Sequence, residues 1–451
     1  MKTDVLILGG GLAGLSAAYH LQRFSKLSFL VAEKGAGLGG TAGSIKKDGF
    51  IFDHTGHLLH LHDPYGKKLI LDLLGKNIAV MERRSWIYSH KTFTRYPFQA
   101  NTYGLPEKIV DECLTGFLRT VHWPTKLKSA PSFRDWSLSH FGAGISRHFM
   151  FPYNEKLWRT RLDLLTTEWQ GRFVPKPTAG EVMRGSLLDS TKSFGYNATF
   201  RYPVHGGIQT LPDALAARIQ EGRIAANAAV RSVDLAEKVA VIDGLGEVSY
   251  SRLVNTLPLV HFLDMARPLP PAVKAARGKL RYNTVYCLNI GVDRADISDK
   301  HWIYFPEKGF VFYRAGFSSN FSKHIAPRNT SSLYIEVSRH PGERVNLGLL
   351  ERQILSGLVR CGLLKKSDKI LTKLWIPIEC AYVVYDFERT PAVETIFRHL
   401  NKAGVESIGR YGGWKYSFME ETILDGKRCA ERLADRSGVR EESQAELEPL
   451  K

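Results

Sequence analysis

A chain of 451 residues, 44% hydrophobic and 24% charged, has the length to bury roughly two or three domain cores and a composition unlike that of a disordered or fibrous protein. No apolar run reaches the length of a membrane span, and the chain enters an apolar strand within its first residues, so neither a transmembrane segment nor a signal peptide is expected. A net charge of +17 reads as a basic surface, or as attraction for a polyanionic small molecule or an anionic membrane. The basic residues are too dispersed for a nucleic-acid stripe, and five cysteines without paired spacing (Cys113, Cys287, Cys361, Cys380, Cys429) point to reduced thiols in the cytoplasm.

Residues 4–8 form a short apolar run that leads into Gly9–Gly10–Gly11–Leu12–Ala13–Gly14. Residues 15–24 have helical composition, and a second apolar run over 28–32 ends at Glu33. Strand, glycine turn, helix, strand and acid make the βαβ unit that grips the adenosine diphosphate half of a dinucleotide. Gly9 permits the tight turn, Gly11 lets the backbone approach a pyrophosphate, and Gly14 lets helix and strand pack closely. The helix N-terminus turns free N–H groups and the positive end of its dipole toward the phosphates. Glu33 is placed for the ribose hydroxyls, and Gly37–Leu38–Gly39–Gly40–Thr41 reads as a second loop whose amides reach the cofactor.

A strand is expected over 50–53, followed by His54, His57, His60 and His62. No Cys or carboxylate pair elsewhere matches them in spacing, so this loop predicts tuning or gating of a cofactor rather than a metal site. Residues 103–118 carry helical spacing, and 133–158 read as further helix rich in aromatics. A helix over 211–219 and strands over 228–233, 239–242 and 252–257 return the chain to the nucleotide domain. Strand patterns then dominate 281–390, at 282–290, 302–305, 310–313 and 333–337, with a helix at 346–358 between the last of them and the end of the region. Glycines return at 409–413 ahead of a helix from Met419 to about residue 433, and 444–451 is a polar tail.

Several of these segments together resemble the UDP-galactopyranose mutases, a branch of the flavoprotein superfamily that also holds amine oxidases and phytoene desaturases. Residues 55–60 resemble the mutases' histidine loop, Tyr96–Pro97–Phe98–Gln99 their YPFQ segment, and residues 151–158 their PYNxKxW segment. Phe312–Tyr313–Arg314–Ala315 with Ser319–Asn320–Phe321–Ser322 match an FYRA…SNxS pattern, and residues 409–423 resemble the closing GRxGxWxYxxMxxxI signature. The resemblance implies an α/β fold with a Rossmann-like FAD-binding domain, a helical insert and an antiparallel β-sheet substrate domain. The expected bounds are 1–90, 203–260 and 400–435 for the first, 91–171 for the insert, 172–202 and 261–399 for the sheet domain, and 436–451 for a flexible tail.

The chemistry implied is non-redox overall: reduced FAD attacks the anomeric carbon of a nucleotide-diphosphate sugar through N5, and pyranose and furanose forms interconvert. On this resemblance Arg314 and Arg172 clamp the leaving diphosphate, where a planar guanidinium suits phosphate oxygens, and His57 stands beside the flavin. Tyr153 and Trp158 line the uridine and sugar pocket, and Tyr382 and Tyr416 donate phenol hydrogen bonds to the diphosphate. FAD is held by Gly9, Gly11, Gly14, Glu33, Gly40, Thr41, Val230, Gly409, Arg410 and Met419, with no metal. NAD(P)H is implied as an external reductant, nucleic acid is not a partner, the oligomeric state is open and the cytoplasm is the expected location.

Two departures bear on the substrate. Phe418 fills a position that is often polar, and Val383 follows Tyr382 where the family has proline. An apolar wall there predicts a deoxy or otherwise modified sugar. Two other readings compete: an FAD-dependent oxidoreductase of the amine oxidase or protoporphyrinogen oxidase type, and a flavin-binding protein without turnover. The arginine pair separates the mutase from the oxidases, which favour an apolar tunnel.

Overall fold

The computed structural model describes residues 1–127, 129–190, 194–195 and 198–436, the side chains of Arg172 and Arg436 excepted. The expected tail therefore lies almost wholly outside the described residues. The strand Lys2–Leu8 is apolar through most of its length because it is covered on both faces, as a strand inside a parallel sheet must be. It pairs in parallel with Phe29–Ala32 on one side and with Gly246–Asn255 on the other. Ile224–Ala225 extends the sheet past Phe29–Ala32, and Val405–Ser407 lies beside the end of Gly246–Asn255, both in parallel. The antiparallel strands Val230–Asp234 and Val239–Ile242 join at the start of Gly246–Asn255, and Ala266–Arg267 closes that edge. One sheet thus gathers chain from both ends and the middle of the sequence.

The helix Leu12–Phe24 is buried along its whole first half because the C-terminal helix Met419–Arg436 covers it. The two approach so closely that a Cβ on Gly426 would stand 2.6 Å from the Ala17 amide nitrogen. This packing fixes the start of the first helix, where the cofactor signature lies, against the end of the chain.

A second sheet runs in the order Ile370–Val383, Tyr282–Val292, Ser331–Arg339, Arg314–Phe317, Trp302–Tyr304, Ser85–Ser89 and Thr92–Arg95. Its neighbours are antiparallel except Trp302–Tyr304 with Ser85–Ser89. Residues 85–95 thereby join this sheet, although they precede the helical insert. The strand expected over 310–313 forms instead at Arg314–Phe317. The Lys156 ammonium takes the carbonyls of Phe305, Glu307 and Phe312 at 2.7, 2.7 and 3.1 Å, so the chain between the strands is folded around a side chain.

The insert holds the helices Glu107–His122, Phe133–Ile145, Phe151–Trp158 and Ala179–Leu187. The single helix expected over 133–158 is broken at Gly142, whose φ of 74° leaves the helical region, and a π-turn at Ser146–Met150 follows. The cause is a close crossing: Cβ atoms on Gly142 and Gly144 would collide with the carbonyls of Gly116 and Glu112 on the neighbouring helix. Among the described residues no helix is long and apolar enough to cross a membrane.

Candidate active site

The nucleotide end is built from three glycine segments converging on one helix start. Gly9 has a φ of 101°, which L side chains rarely adopt. A Cβ on Gly14 would collide with the Gly9 carbonyl, so the helix can lie against its own strand only with glycine there. The helix N-terminus at Gly11 has no side-chain cap, and its first residues are buried. A buried helix start that no side chain caps suits an anion, and a diphosphate fits. Glu33 receives the Gly10 amide at 2.7 Å and the Gly35 amide at 2.8 Å, which fixes its carboxylate at the end of the second strand.

The second loop is laced onto the first through the Gly39 amide, which donates to the Gly10 carbonyl at 2.8 Å. Gly40 turns with a φ of 58°, and a side-chain hydrogen bond ties Thr41 to Tyr411. The third segment arrives at Gly409, whose φ is 77° and whose Cβ would stand 2.7 Å from that of Ala13. Val230 opens its strand two residues after Ala228, whose amide bonds the Glu33 carbonyl at 2.8 Å, so it lies toward the Glu33 end. Met419 begins the covering helix and packs against the core of the first helix. The donors and the shape of this cradle fit a flavin dinucleotide.

Beyond the third segment stands a wall of phenols and cations. Arg410 lies over the Tyr416 and Tyr382 rings at 4.7 and 5.3 Å and donates to the carbonyls of Ser417 and Ala381 at 2.9 and 3.2 Å. Its guanidinium thus braces the two tyrosines, whose rings stack 6.1 Å apart. Tyr153 meets Tyr304 edge-on at 5.3 Å and Tyr313 at 6.3 Å. Burial raises the pKa of Tyr153, Tyr313, Tyr382 and Tyr416, so all four remain protonated donors. The Tyr313 hydroxyl is buried without a hydrogen-bond partner among the described residues, as expected where a polar ligand belongs.

Arg314 projects from its strand into this wall and is held by Glu336 on the adjacent strand, Nε to Oε2 at 2.6 Å and Nη2 to Oε1 at 2.7 Å. Burial works against the guanidinium charge, but the Glu336 carboxylate outweighs it and keeps the group protonated. The His57 loop lies on the same strands: a Cβ on Gly56 would fall on the Tyr334 hydroxyl. Burial pushes the His57 imidazole down to about 3, and the charges of His54, Arg410 and Arg314 push the same way, so it is neutral. The loop's other histidines serve separate partners. His54 bonds the Gly43 carbonyl at 2.9 Å, and His60 packs on Phe200 and Phe418.

Trp158 is only 2% exposed; its Nε1 donates to Asn154 at 3.2 Å and its ring meets Tyr382 at 5.8 Å. It backs the tyrosine wall from within the core. The backbone of Arg172 lies in the short turn Gly171–Phe173, and its side chain is outside the described residues. The next residue, Phe173, reaches Tyr416 at 4.7 Å and Phe418 at 5.2 Å.

Sequence reasoning did not single out Glu336, Tyr304 or Tyr334. Glu336 had a signal: it is the one acid in the strand Ser331–Arg339, which is apolar and hydroxylated apart from Glu336 itself and its terminal arginine. The tyrosines had none, because they share the spacing of ordinary core residues.

Fold and site together define a flavoprotein, and the chain belongs to the flavin containing amine oxidoreductase family, whose model matches residues 12–434. It is similar to a solved reduced UDP-galactopyranose mutase, at a TM-score of 0.90 and 27% identity over 96% of each chain. A proposed protoporphyrinogen oxidase from Exiguobacterium sp. 255-15 shares the fold, with a TM-score of 0.74 and 15% identity over 96% of this chain and 99% of that one. A coproporphyrinogen III oxidase of Bacillus subtilis (strain 168) is 28% identical over 122 residues, which span 26% of this chain and 26% of that relative.

Proposed function

We propose that the protein is a flavin-dependent mutase that interconverts the pyranose and furanose forms of a nucleotide-diphosphate sugar. The observation that carries this reading is the polar wall opposite the cofactor cradle: Arg314 and Arg410 set among phenol hydroxyls, one of them without a partner. Such a wall suits a diphosphate and not an apolar amine or tetrapyrrole. The likeness to the reduced UDP-galactopyranose mutase supports the same substrate class.

Reduced FAD, when bound, supplies N5 as the nucleophile at the anomeric carbon. Gly9, Gly11, Gly14, Gly40, Thr41 and Gly409 would cradle it, with Glu33 and Val230 toward its adenosine and Met419 toward its ring. Arg314 and Arg172 take up the charge that grows on the departing diphosphate. Tyr382 and Tyr416, braced by Arg410, orient its oxygens without adding charge. Neutral His57 would offer the flavin edge a hydrogen bond that does not titrate near pH 7. Tyr153 and Trp158 shape the uridine and sugar side. The nucleotide domain, helical insert and sheet domain divide the work, with residues 85–95 belonging to the sheet domain, Ala179–Leu187 to the insert and Ala266–Arg267 to the nucleotide sheet, and with NAD(P)H as external reductant and the cytoplasm as location. Phe418, packed among Phe173, His60 and Tyr416, gives the pocket an apolar flank that favours a deoxy or otherwise modified sugar.

The test is to reduce the FAD-loaded protein with dithionite, offer a panel of nucleotide sugars and follow pyranose–furanose exchange by chromatography. Exchange without stoichiometric use of reductant supports the mutase. Turnover of UDP-galactopyranose as efficient as that of every deoxy analogue would count against the modified sugar. The second reading is an FAD-dependent oxidoreductase, favoured by the coproporphyrinogen III oxidase match; oxygen uptake with substrate and no exchange would select it.

A further inference from the structure

A cavity of about 360 Å³ lies behind Trp158, outside the flavin cradle and the tyrosine wall. Its lining includes Arg159, Arg161, Arg281 and His340, with Tyr282 as an aromatic surface and the buried Trp158 at its base, and no acidic residue. Of the residues around the flavin site, only Trp158 is shared between the two.

The positive charge is incompletely answered. Arg161 is paired with Asp163 at 2.6 Å, and Arg281 stands 3.5 Å from Asp386. Arg159 has no ion pair among the described residues, and its Nε is buried without a hydrogen-bond partner. It sits at the end of the helix Phe151–Trp158 in a left-handed conformation, with φ 53° and ψ 35°. Behind it Arg339, although paired with Glu343, has its pKa lowered by burial and by the Arg159 charge. Several guanidinium groups around one void, one with a buried N–H unanswered, create a field that a dianion relieves. The volume exceeds that of a bare ion and falls within the range of small-molecule sites.

We propose that this cavity is a second ligand site that takes a small organic phosphate, its phosphate bound by Arg159 and Arg281 and its body against Tyr282. The site does not depend on the mutase reading. Because Trp158 also packs on Tyr382, occupancy stiffens one wall of the flavin site from behind.

The test is calorimetric titration of the full-length FAD-loaded protein with glucose 6-phosphate and, separately, inorganic phosphate. R159G is the first variant, because glycine suits the left-handed turn and removes only the side chain; R281Q is the second, and R314A reports on the flavin site. The expected result is saturable binding of glucose 6-phosphate, weakened at least tenfold by R159G and by R281Q and unchanged by R314A, with weaker binding of inorganic phosphate. Binding lost in R314A but kept in R159G and R281Q would place the ligand in the flavin site and overturn the proposal. Equal affinity for inorganic phosphate would overturn the organic ligand, and no saturable binding of either probe would overturn the site.

Discussion

Arg314 and Glu336 face each other in register on neighbouring strands, joined by two hydrogen bonds of 2.6 and 2.7 Å. Glu336 is fully buried and the Arg314 side chain is 19% exposed, so the arginine alone opens toward the pocket. Two of its nitrogens, Nε and Nη2, are fixed by the carboxylate, and Nη1 lies outside that pair. The carboxylate therefore aims the cation while offsetting the cost of its burial.

Replacing Glu336 by glutamine removes that charge and leaves the guanidinium buried without a counterion. Breaking a buried pair in this way costs about 3–5 kcal/mol in other proteins, and the same range is expected for E336Q in denaturant unfolding. A loss below about 1 kcal/mol would mean that Arg314 turns to solvent and that the strand pair does not aim it.

R314A tests the pocket side of the same residue. On the proposed mutase reading diphosphate departure then loses its fixed cation, and kcat of the reduced protein should fall by a factor of roughly a hundred or more. FAD content should stay near wild type, because Arg314 lies beyond the cradle. Retained activity would remove the residue from the diphosphate role.

The cradle was legible in the sequence because its chemistry is backbone chemistry. Gly9, Gly14, Gly39 and Gly409 are fixed by turns or close approaches that only glycine meets, so they stand out in a single chain. The opposite wall was legible only in part. Arg314, Tyr382 and Tyr416 came from resemblance, and the structure adds that Arg410 braces those two tyrosines. Glu336 was not found because its partner is fixed by strand register, which no local pattern reveals. The broken helix at Gly142 escaped for a similar reason: its cause is the neighbouring helix at Gly116. The strand at 310–313 was displaced by Lys156, a residue far away in sequence.

Asp53 sets a pH dependence. Its buried carboxylate accepts from Ser44 at 2.6 Å, Tyr202 at 2.7 Å and the Ile208 amide at 3.3 Å, yet burial still raises its pKa from 3.8 to about 6. Between those values the folded chain holds a proton that the unfolded chain has released. Its contribution to stability is therefore greatest below pH 3.8 and declines as pH rises toward 6, by about 3 kcal/mol in all. D53N has no such proton to lose. The Tm difference between D53N and wild type should shift in favour of D53N from pH 4 to pH 7; a difference constant over that range would place the Asp53 pKa near its ordinary value.

Two glycines of the cradle region make opposite predictions for the same substitution. A Cβ on Gly14 meets the Gly9 carbonyl, a backbone atom of the buried turn after strand Lys2–Leu8 that cannot swing away. G14A must therefore push helix Leu12–Phe24 off the sheet or twist the turn, and the uncapped N–H groups move with it. The expected result is a fall of several kcal/mol in stability, about the size of core overpacking or more, with the flavin absorbance of the purified protein largely lost. A Cβ on Gly37 meets nothing within 4 Å, and that residue has no left-handed φ. G37A should keep both its flavin content and its stability, or gain a few tenths of a kcal/mol from a less flexible unfolded chain. If the two variants lost flavin equally, Gly37 would have to approach the cofactor itself, and the second loop would lie nearer the pyrophosphate than the first.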